Sequence, residues 1–349
     1  MTTKNSTLTT GTMRASVLVR PGTVEVQDVP VPTLNDNQVL VRISAVGVCG
    51  SDTHFFHEGH IGDMVVTEPL ILGHESAGTI VAVGAAVSPD RIGERVSIEP
   101  QKPCRVCEYC KSGQYNLCQN IEFYAAPPIH GAFAEFAAIE SDFAYAVPDH
   151  VSDEAAALME PLSVAIATCR KAAMQPGSSV LIAGAGPIGI LVAKVARIYG
   201  ATDITVSDPA AHRRDFALGA GATRAVDPRT EDPAASGPLF DVFVDASGAP
   251  AAIQAGIRAV KPGGKVVLVG MGTDTVALPV SLIQNREIEL TGIFRYTNTW
   301  PMAINLVASG LVDLDALVTH RFALENVEAA LLTGGTDPHA IKSVINPRS

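Results

Sequence analysis

Between Val180 and Gly189 an apolar run, Val180-Leu181-Ile182-Ala183, passes directly into Gly184-Ala185-Gly186-Pro187-Ile188-Gly189. Ile188, Leu191, Val192, Val195 and Ala196 then recur at helical spacing as far as Gly200. Strand, tight glycine turn and helix in that order predict the first crossover of a parallel sheet. Gly184 permits the turn, Gly186 lets the backbone approach a pyrophosphate, and Gly189 brings helix against strand, with Pro187 opening a helix whose N-terminus faces the phosphates. The next apolar run, Ile204-Thr205-Val206, ends at Asp208, which would accept hydrogen bonds from ribose hydroxyls and repel a 2′-phosphate. That favours NAD over NADP, although Arg213 and Arg214 stand close enough to receive a phosphate.

Asp241 to Asp245, Lys265 to Val269 and Ile288 to Phe294 read as further buried strands, and six strands would complete a doubly wound α/β fold of Rossmann type. Upstream, from Met13 to about Ala146, short apolar or alternating runs such as Val39-Leu40-Val41-Arg42-Ile43 lie between Gly, Pro, Asn and Asp, the texture of a mostly β domain. A helix is expected to start at Pro161 and stop before Gly177, with Leu162, Ala165, Ile166, Cys169 and Ala173 on its apolar face and Cys169 a packed core thiol. Beyond Trp300 come amphipathic segments and a final strand-like Ala340 to Ile345, too little for a domain. This tail is expected to fold back on the first domain, giving one unit from 1–160 and 300–349 and another from 161–299.

Two clusters of soft ligands precede the glycine turn. Cys104, Cys107, Cys110 and Cys118 follow C-x2-C-x2-C-x7-C, a complete tetrahedral thiolate set in a lobe near 100–120, and read as a closed structural zinc site rather than as disulfides. Cys49, His74 and Glu75 are scattered single ligands, the usual assembly of an open catalytic metal site. Glu160, beside Pro161 at a helix N-terminus, could bind the same zinc or hold its water.

The formal net charge of -11 argues against nucleic acid or an anionic membrane as partner, so the ligand should be a small molecule. Six cysteines in 349 residues, four of them crowded together, suit a reducing cytoplasm. Met1 to Thr12 reads as a loose tail without a signal-peptide core, and no apolar stretch is long enough to span a membrane.

Taken together, Gly47-Val48-Cys49-Gly50-Ser51-Asp52, Gly73-His74-Glu75, the Cys104 to Cys118 lobe, Glu160-Pro161-Leu162-Ser163-Val164, the glycine turn, Phe294-Arg295-Tyr296 and Asn298-Thr299-Trp300-Pro301 resemble the zinc-dependent medium-chain dehydrogenases, and among them the sorbitol (polyol) dehydrogenase branch. The likeness spans Met13 to Pro347. It implies a GroES-like catalytic domain split around the Rossmann domain, an active site in the cleft between them, and a homotetramer. It also implies that Cys49, His74 and Glu75 bind the catalytic zinc, that Glu160 touches the zinc-bound water, the substrate or the metal, and that Arg295 and Tyr296 touch polyol hydroxyls. Dinucleotide contacts are implied for Ile188, Asp208 and Arg213, for Val269, Gly270 and Met271, and for Ile293, Phe294 and Arg295. One departure stands out: Phe55 follows His54 where the family often has tyrosine, so a hydroxyl contact to substrate is lost.

The expected chemistry is oxidation of a secondary alcohol to a ketone, with zinc as Lewis acid on the alcohol oxygen and hydride passing to nicotinamide. Ser51 and His54 offer a hydroxyl-to-imidazole route for the proton or are supports of the metal site, and Asp52 orients a zinc-ligand imidazole. Rival readings are a dehydrogenase of the same fold for threonine, a butanediol or a simple alcohol, and a non-enzymatic zinc and dinucleotide protein.

Overall fold

The computed structural model describes residues 11–235 and 237–348. The chain divides into two compact units, Met1–Glu160 with Trp300–Ser349, and Pro161–Thr299. Most of the tail expected over Met1 to Thr12 lies outside the described residues, but Thr12 opens the strand Thr12–Arg20 instead of belonging to a tail. Its middle, Ala15 to Leu18, is buried on both faces, and its partner Thr23–Pro30 pairs with it antiparallel.

The first unit is built on a seven-stranded sheet whose central strand, Gln38–Gly47, pairs with Glu75–Val83 on one side and Lys342–Asn346 on the other. Arg42 alone is exposed between Val39 and Gly47, so this strand is covered on both faces rather than alternating. Val39, Val41 and Ile43 share a core with Ile80, Ile98 and Phe133. Where the chain re-enters this unit, Trp300 is fully buried, its indole N–H donates to Ser97 Oγ at 2.9 Å, and its ring stacks on Tyr145. The terminal strand pairs antiparallel with the central one, Val344 opposite Gly47 and Ile345 opposite Val46. Residues more than 290 positions apart therefore meet at the end of the central strand, as the Lys342 contact to Val48 shows.

The second unit is a six-stranded parallel sheet in the order Arg224–Val226, Asp203–Ser207, Ser179–Ala183, Phe240–Asp245, Val260–Leu268, Glu289–Gly292. In chain order this is 3-2-1-4-5-6, a doubly wound sheet. The order reverses beside Ser179–Ala183, the strand that runs into the glycine turn. Three local expectations are corrected. The strand Arg224–Val226 escapes the sequence because it is a three-residue edge with a single large apolar side chain, Val226. The last strand is Glu289–Gly292, so Ile293 and Phe294 lie past its end, as Val269 lies past Val260–Leu268.

The helix expected from Pro161 runs instead from Met159 to Lys171, placing Glu160 inside its first turn. First-turn N–H groups lack an intrahelical acceptor, so proline is tolerated throughout that turn and marks it without marking its first residue. Leu162, Ala165, Ile166 and Cys169 are fully buried, whereas Ala173 sits past the helix at φ 51° and is exposed. The Cys169 thiol is pushed up by burial, as befits a core residue.

Candidate metal and dinucleotide sites

Ligand atoms of Cys49, His74 and Glu75 lie within 4.8 Å of one another, as do those of Cys104, Cys107, Cys110 and Cys118. The first set is organised by a fully buried acid. Asp52, in the helix Gly50–Glu58, accepts the Cys49 N–H at 2.9 Å through Oδ2 and the Gly73 N–H at 3.0 Å through Oδ1. Oδ1 also lies 3.5 Å from His74 Nδ1, which leaves Nε2 for a metal. One carboxylate thus ties the two loops that carry Cys49 and His74. Gly73 is required where it stands: its φ is 88°, and a Cβ there would meet the Phe133 ring at 2.6 Å.

Glu75 begins the strand opposite Gly47, and a Cβ on Gly47 would lie 2.0 Å from Glu75 Oε2. The glycine therefore makes the space that the carboxylate occupies. Lys342, at the start of the terminal strand, donates to Glu75 Oε1 at 2.6 Å and to the Val48 carbonyl at 2.7 Å. Its ammonium is buried, yet its pKa is raised: burial opposes the charge, but Glu75, Cys49 and Glu160 outweigh it. His74 behaves likewise, burial being overcome by Asp52 and Cys49.

Glu75, Glu160 and the Cys49 thiol thus face the Lys342 ammonium, while Asp52 and Cys49 face the His74 imidazole. The convergent S, N and O donors of Cys49, His74 and Glu75 suit a divalent cation. Glu160 is 4% exposed and acts on Lys342 through its charge, but it is not one of the three residues whose ligand atoms converge. His54 pairs with Glu58 at 3.5 Å, one helical turn away, and Ser51 lies three residues before His54 on the same helix. Phe55 is packed in the core of this unit.

The four-cysteine set is a lobe of short turns. Sulfur separations of 3.4 Å for Cys107 to Cys110 and 4.0 Å for Cys104 to Cys110 bracket the value of about 3.8 Å expected of tetrahedral zinc thiolates. Backbone N–H groups of Cys104 and Cys107 donate to Cys118 and Cys104 sulfurs at 3.3 and 3.4 Å. Donation from Val106 and Cys107 draws the Cys104 thiol down to about 6, while burial and Cys107 push Cys110 up to about 12. Thiols this close cannot all ionise without a cation among them. All six cysteines are free. The lobe is tethered by Arg105, which holds Asp142 through two bonds of 2.7 Å, and by Tyr115, whose hydroxyl donates to Glu99 at 2.8 Å.

In the second unit Gly184 has φ 96°, and a Cβ on Gly189 would lie 1.9 Å from the Gly184 carbonyl oxygen, so turn and helix need both glycines. Gly186 faces open space at the uncapped N-terminus of the helix Pro187–Ile198. That is room, with unpaired N–H groups, for an anion. A cavity of about 560 Å³ adjoins the turn, lined by Gly184, Ser207, Asp208, Arg229, Asp232 and Phe243 among others. Asp208 is 5% exposed; its two oxygens each accept a backbone N–H at 2.8 Å, from Ala185 and Ala210. It therefore fixes the turn as well as facing the cavity.

Arg213 does not line that cavity, whereas Arg229, unmarked in the sequence reading, does. Ile188 is half-buried, and Val269 and Gly270 both donate to the Asp245 carbonyl at 2.9 Å, while Met271 is exposed. Ile293, Phe294, Arg295 and Tyr296 follow the last strand; the Arg295 guanidinium lies 4.6 Å from the Phe294 ring centre, at a backbone φ of 57°, and Tyr296 is 1% exposed. Sequence reasoning also missed Lys342, although a lysine inside the apolar run Ala340-Ile341-Lys342-Ser343-Val344-Ile345 was a visible signal.

Residues 35–149 match the alcohol dehydrogenase GroES-like domain, and residues 187–309 match a family described as zinc-binding dehydrogenase. The chain is 40% identical to sorbitol dehydrogenase of Bacillus subtilis over 91% of this chain and 92% of that one. It is 43% identical to sorbitol dehydrogenase of Mus musculus over 90% of each. Among solved structures it superposes on an Escherichia coli alcohol dehydrogenase complexed with NADH, with a TM-score of 0.90 at 26% identity, covering 96% of this chain and 99% of that one.

Proposed function

The chain belongs to the zinc-dependent medium-chain dehydrogenases of the sorbitol dehydrogenase type, and from that premise we propose that it oxidises a secondary alcohol of a polyol, an alditol of the sorbitol or xylitol kind, to a ketose with NAD. The observation that carries this reading is the convergence of Cys49, His74 and Glu75 in one largely buried pocket, in a chain that also offers an open glycine turn beneath a helix N-terminus.

Bound zinc would polarise the alcohol oxygen and bound nicotinamide would accept the hydride. The work of the chain's own residues is then positional. Cys49, His74 and Glu75 are the residues to hold the zinc, with Asp52 setting the His74 ring through Nδ1. Lys342 balances the charge of Glu75, and Glu160 presents a second carboxyl to the same pocket. Ser51 and His54 offer the proton a way out, with Glu58 3.5 Å from His54 Nδ1. Arg295 and Tyr296 are the donors proposed for the hydroxyls of the substrate. Cys104, Cys107, Cys110 and Cys118 are the residues that would hold a structural zinc, which would take no part in the reaction. Gly184, Gly186, Pro187, Ile188, Gly189 and Asp208 receive the dinucleotide, with Arg213, Val269, Gly270, Met271, Ile293, Phe294 and Arg295 completing the contacts. The free thiols support a reducing cytoplasm as the place of action, and the family resemblance supports a homotetramer.

The test is an NAD-coupled absorbance screen of four- to six-carbon alditols against 2,3-butanediol, threonine and 2-butanol. The reading expects the highest kcat/KM on an alditol; a preference for any of the others moves the substrate assignment, and no turnover on any removes the enzyme.

A further inference from the structure

Arg229 lines the same cavity as Asp208, but its guanidinium is committed elsewhere. Nε donates to Asp227 Oδ1 at 2.9 Å and Nη2 to Asp227 Oδ2 at 2.6 Å, while Nη2 also reaches the Pro209 carbonyl at 2.7 Å. The Arg229 backbone N–H adds a bond to Asp227 Oδ1 at 3.0 Å. A second arginine converges on the same acid: Arg214 Nη1 lies 3.4 Å from Asp227 Oδ2 and donates to the Asp208 carbonyl at 2.7 Å. The Arg229 side chain is 66% exposed, so the carboxylate, and not packing, fixes its direction.

We propose that Asp227 is a specificity-determining positioning residue for the dinucleotide: by holding Arg229 and Arg214 it keeps their charge from a ribose 2′-phosphate, and so enforces NAD over NADP. The inference rests on the reading of the cavity as the adenosine end of an NAD site. Asp208 repels a 2′-phosphate directly, yet Arg229 lines the same cavity and Arg214 reaches the Asp208 carbonyl beside it, and both would offset that repulsion if they were free to turn toward a phosphate. The bidentate bond to Asp227 uses the Nε and Nη2 edge of Arg229, which is the fork a phosphate would need. Asp227 is itself held well below the usual carboxylate range, first by the bonds from Arg229, so the lock stays closed throughout the working range of an enzyme. The residue is a positioning one because its carboxylate acts on the nucleotide only through the two arginines.

The experiment is calorimetric titration of the zinc-loaded full chain with NADH and with NADPH, for the wild type, Asp227→Asn, and Asp227→Asn combined with Arg229→Ala. The wild type should bind NADH more tightly. Asp227→Asn should improve NADPH binding relative to NADH by tenfold or more while NADH affinity changes less than threefold, and adding Arg229→Ala should remove most of that gain. A ratio unchanged in Asp227→Asn, or a gain that survives the loss of Arg229, overturns the inference and leaves the NAD site standing. A wild type that binds neither nucleotide overturns the site itself, and one that prefers NADPH overturns both selectivity arguments. If Asp227→Asn does not fold, Asp227→Ser is read in the same way; failure of both variants to fold overturns a role confined to selectivity.

Discussion

Lys342 and Glu75 form a buried ion pair, Nζ to Oε1 2.6 Å, that joins the start of the terminal strand to the strand following the central one in the sheet. Both side chains are at most 3% exposed, so neither charge can turn to water. Cys49 and Glu160 act on the same lysine through their charge.

Lys342→Met should therefore leave Glu75 buried without its cation and destabilise the chelator-treated protein by about 3–5 kcal/mol. Combining it with Glu75→Gln should recover most of that loss, because the uncompensated charge is gone. Urea midpoints of the four proteins close the cycle; equal stability of Lys342→Met and wild type would refute the role given to the pair.

The cysteine lobe and the Cys49 site should differ in their grip on metal. Metal analysis is expected to find about two zincs per chain, and mild chelation to remove the one outside the four-cysteine lobe first, since a closed thiolate set offers a chelator no position. Cys107→Ser should lower the thermal midpoint far more than it changes kcat in the fraction that stays folded. An unshifted midpoint would contradict the structural assignment.

Arg295 offers a planar fork of donors suited to vicinal hydroxyls, and its loss should cost roughly 1–3 kcal/mol in kcat/KM for an alditol. A simple secondary alcohol such as 2-butanol has no second hydroxyl to lose and should be affected less. NAD is kept saturating in both assays, and NAD affinity is measured separately because Arg295 stands against Phe294. Equal decline on both substrates would make Arg295 a support of the cofactor or the fold.

Glu99 is fully buried, and burial pushes its carboxyl up to about 7 although Tyr115, Tyr145 and Gln101 all donate to it. A folded pKa above the unfolded one means that its contribution is complete below about 4.5 and is lost as pH rises through about 7. The loss amounts to about 3 kcal/mol. Glu99→Gln keeps an acceptor for Tyr115 and cannot ionise, so its stability should fall less than that of the wild type between pH 5 and 8. Parallel stability curves for the two proteins would show that Glu99 does not titrate in this window.

The parallel sheet was legible because its inner strands carry short apolar runs such as Val180-Leu181-Ile182-Ala183 and Val242-Phe243-Val244 ended by a turn residue or an acid, whereas Arg224–Val226 offers too little apolar surface to announce itself. The two ligand sets were legible from residue type, since thiolates and a histidine beside glycine turns have few structural uses; their convergence depends on Asp52, whose two backbone bonds no local pattern reveals. Lys342 and Asp227 were hidden for a different reason. Each owes its role to a partner brought to it by the fold: Glu75 lies 267 residues from Lys342, and Asp227 meets Arg214 from the helix that follows Asp208. Pairings set by topology leave no periodic trace.

The place of the terminal strand also fixes an order of events during synthesis. Pro161–Thr299 is one continuous stretch and can form its sheet as soon as it leaves the ribosome, but the first unit waits for its last strand, because Val344 and Ile345 must return to Gly47 and Val46. Until then the edge of Gln38–Gly47 lacks its neighbour and Glu75 lacks its lysine. Closure over so long a stretch of chain is slow relative to local pairing. The nucleotide-binding unit can thus mature first, and the metal pocket acquires its balancing charge only once Lys342 has been made and returned to Glu75.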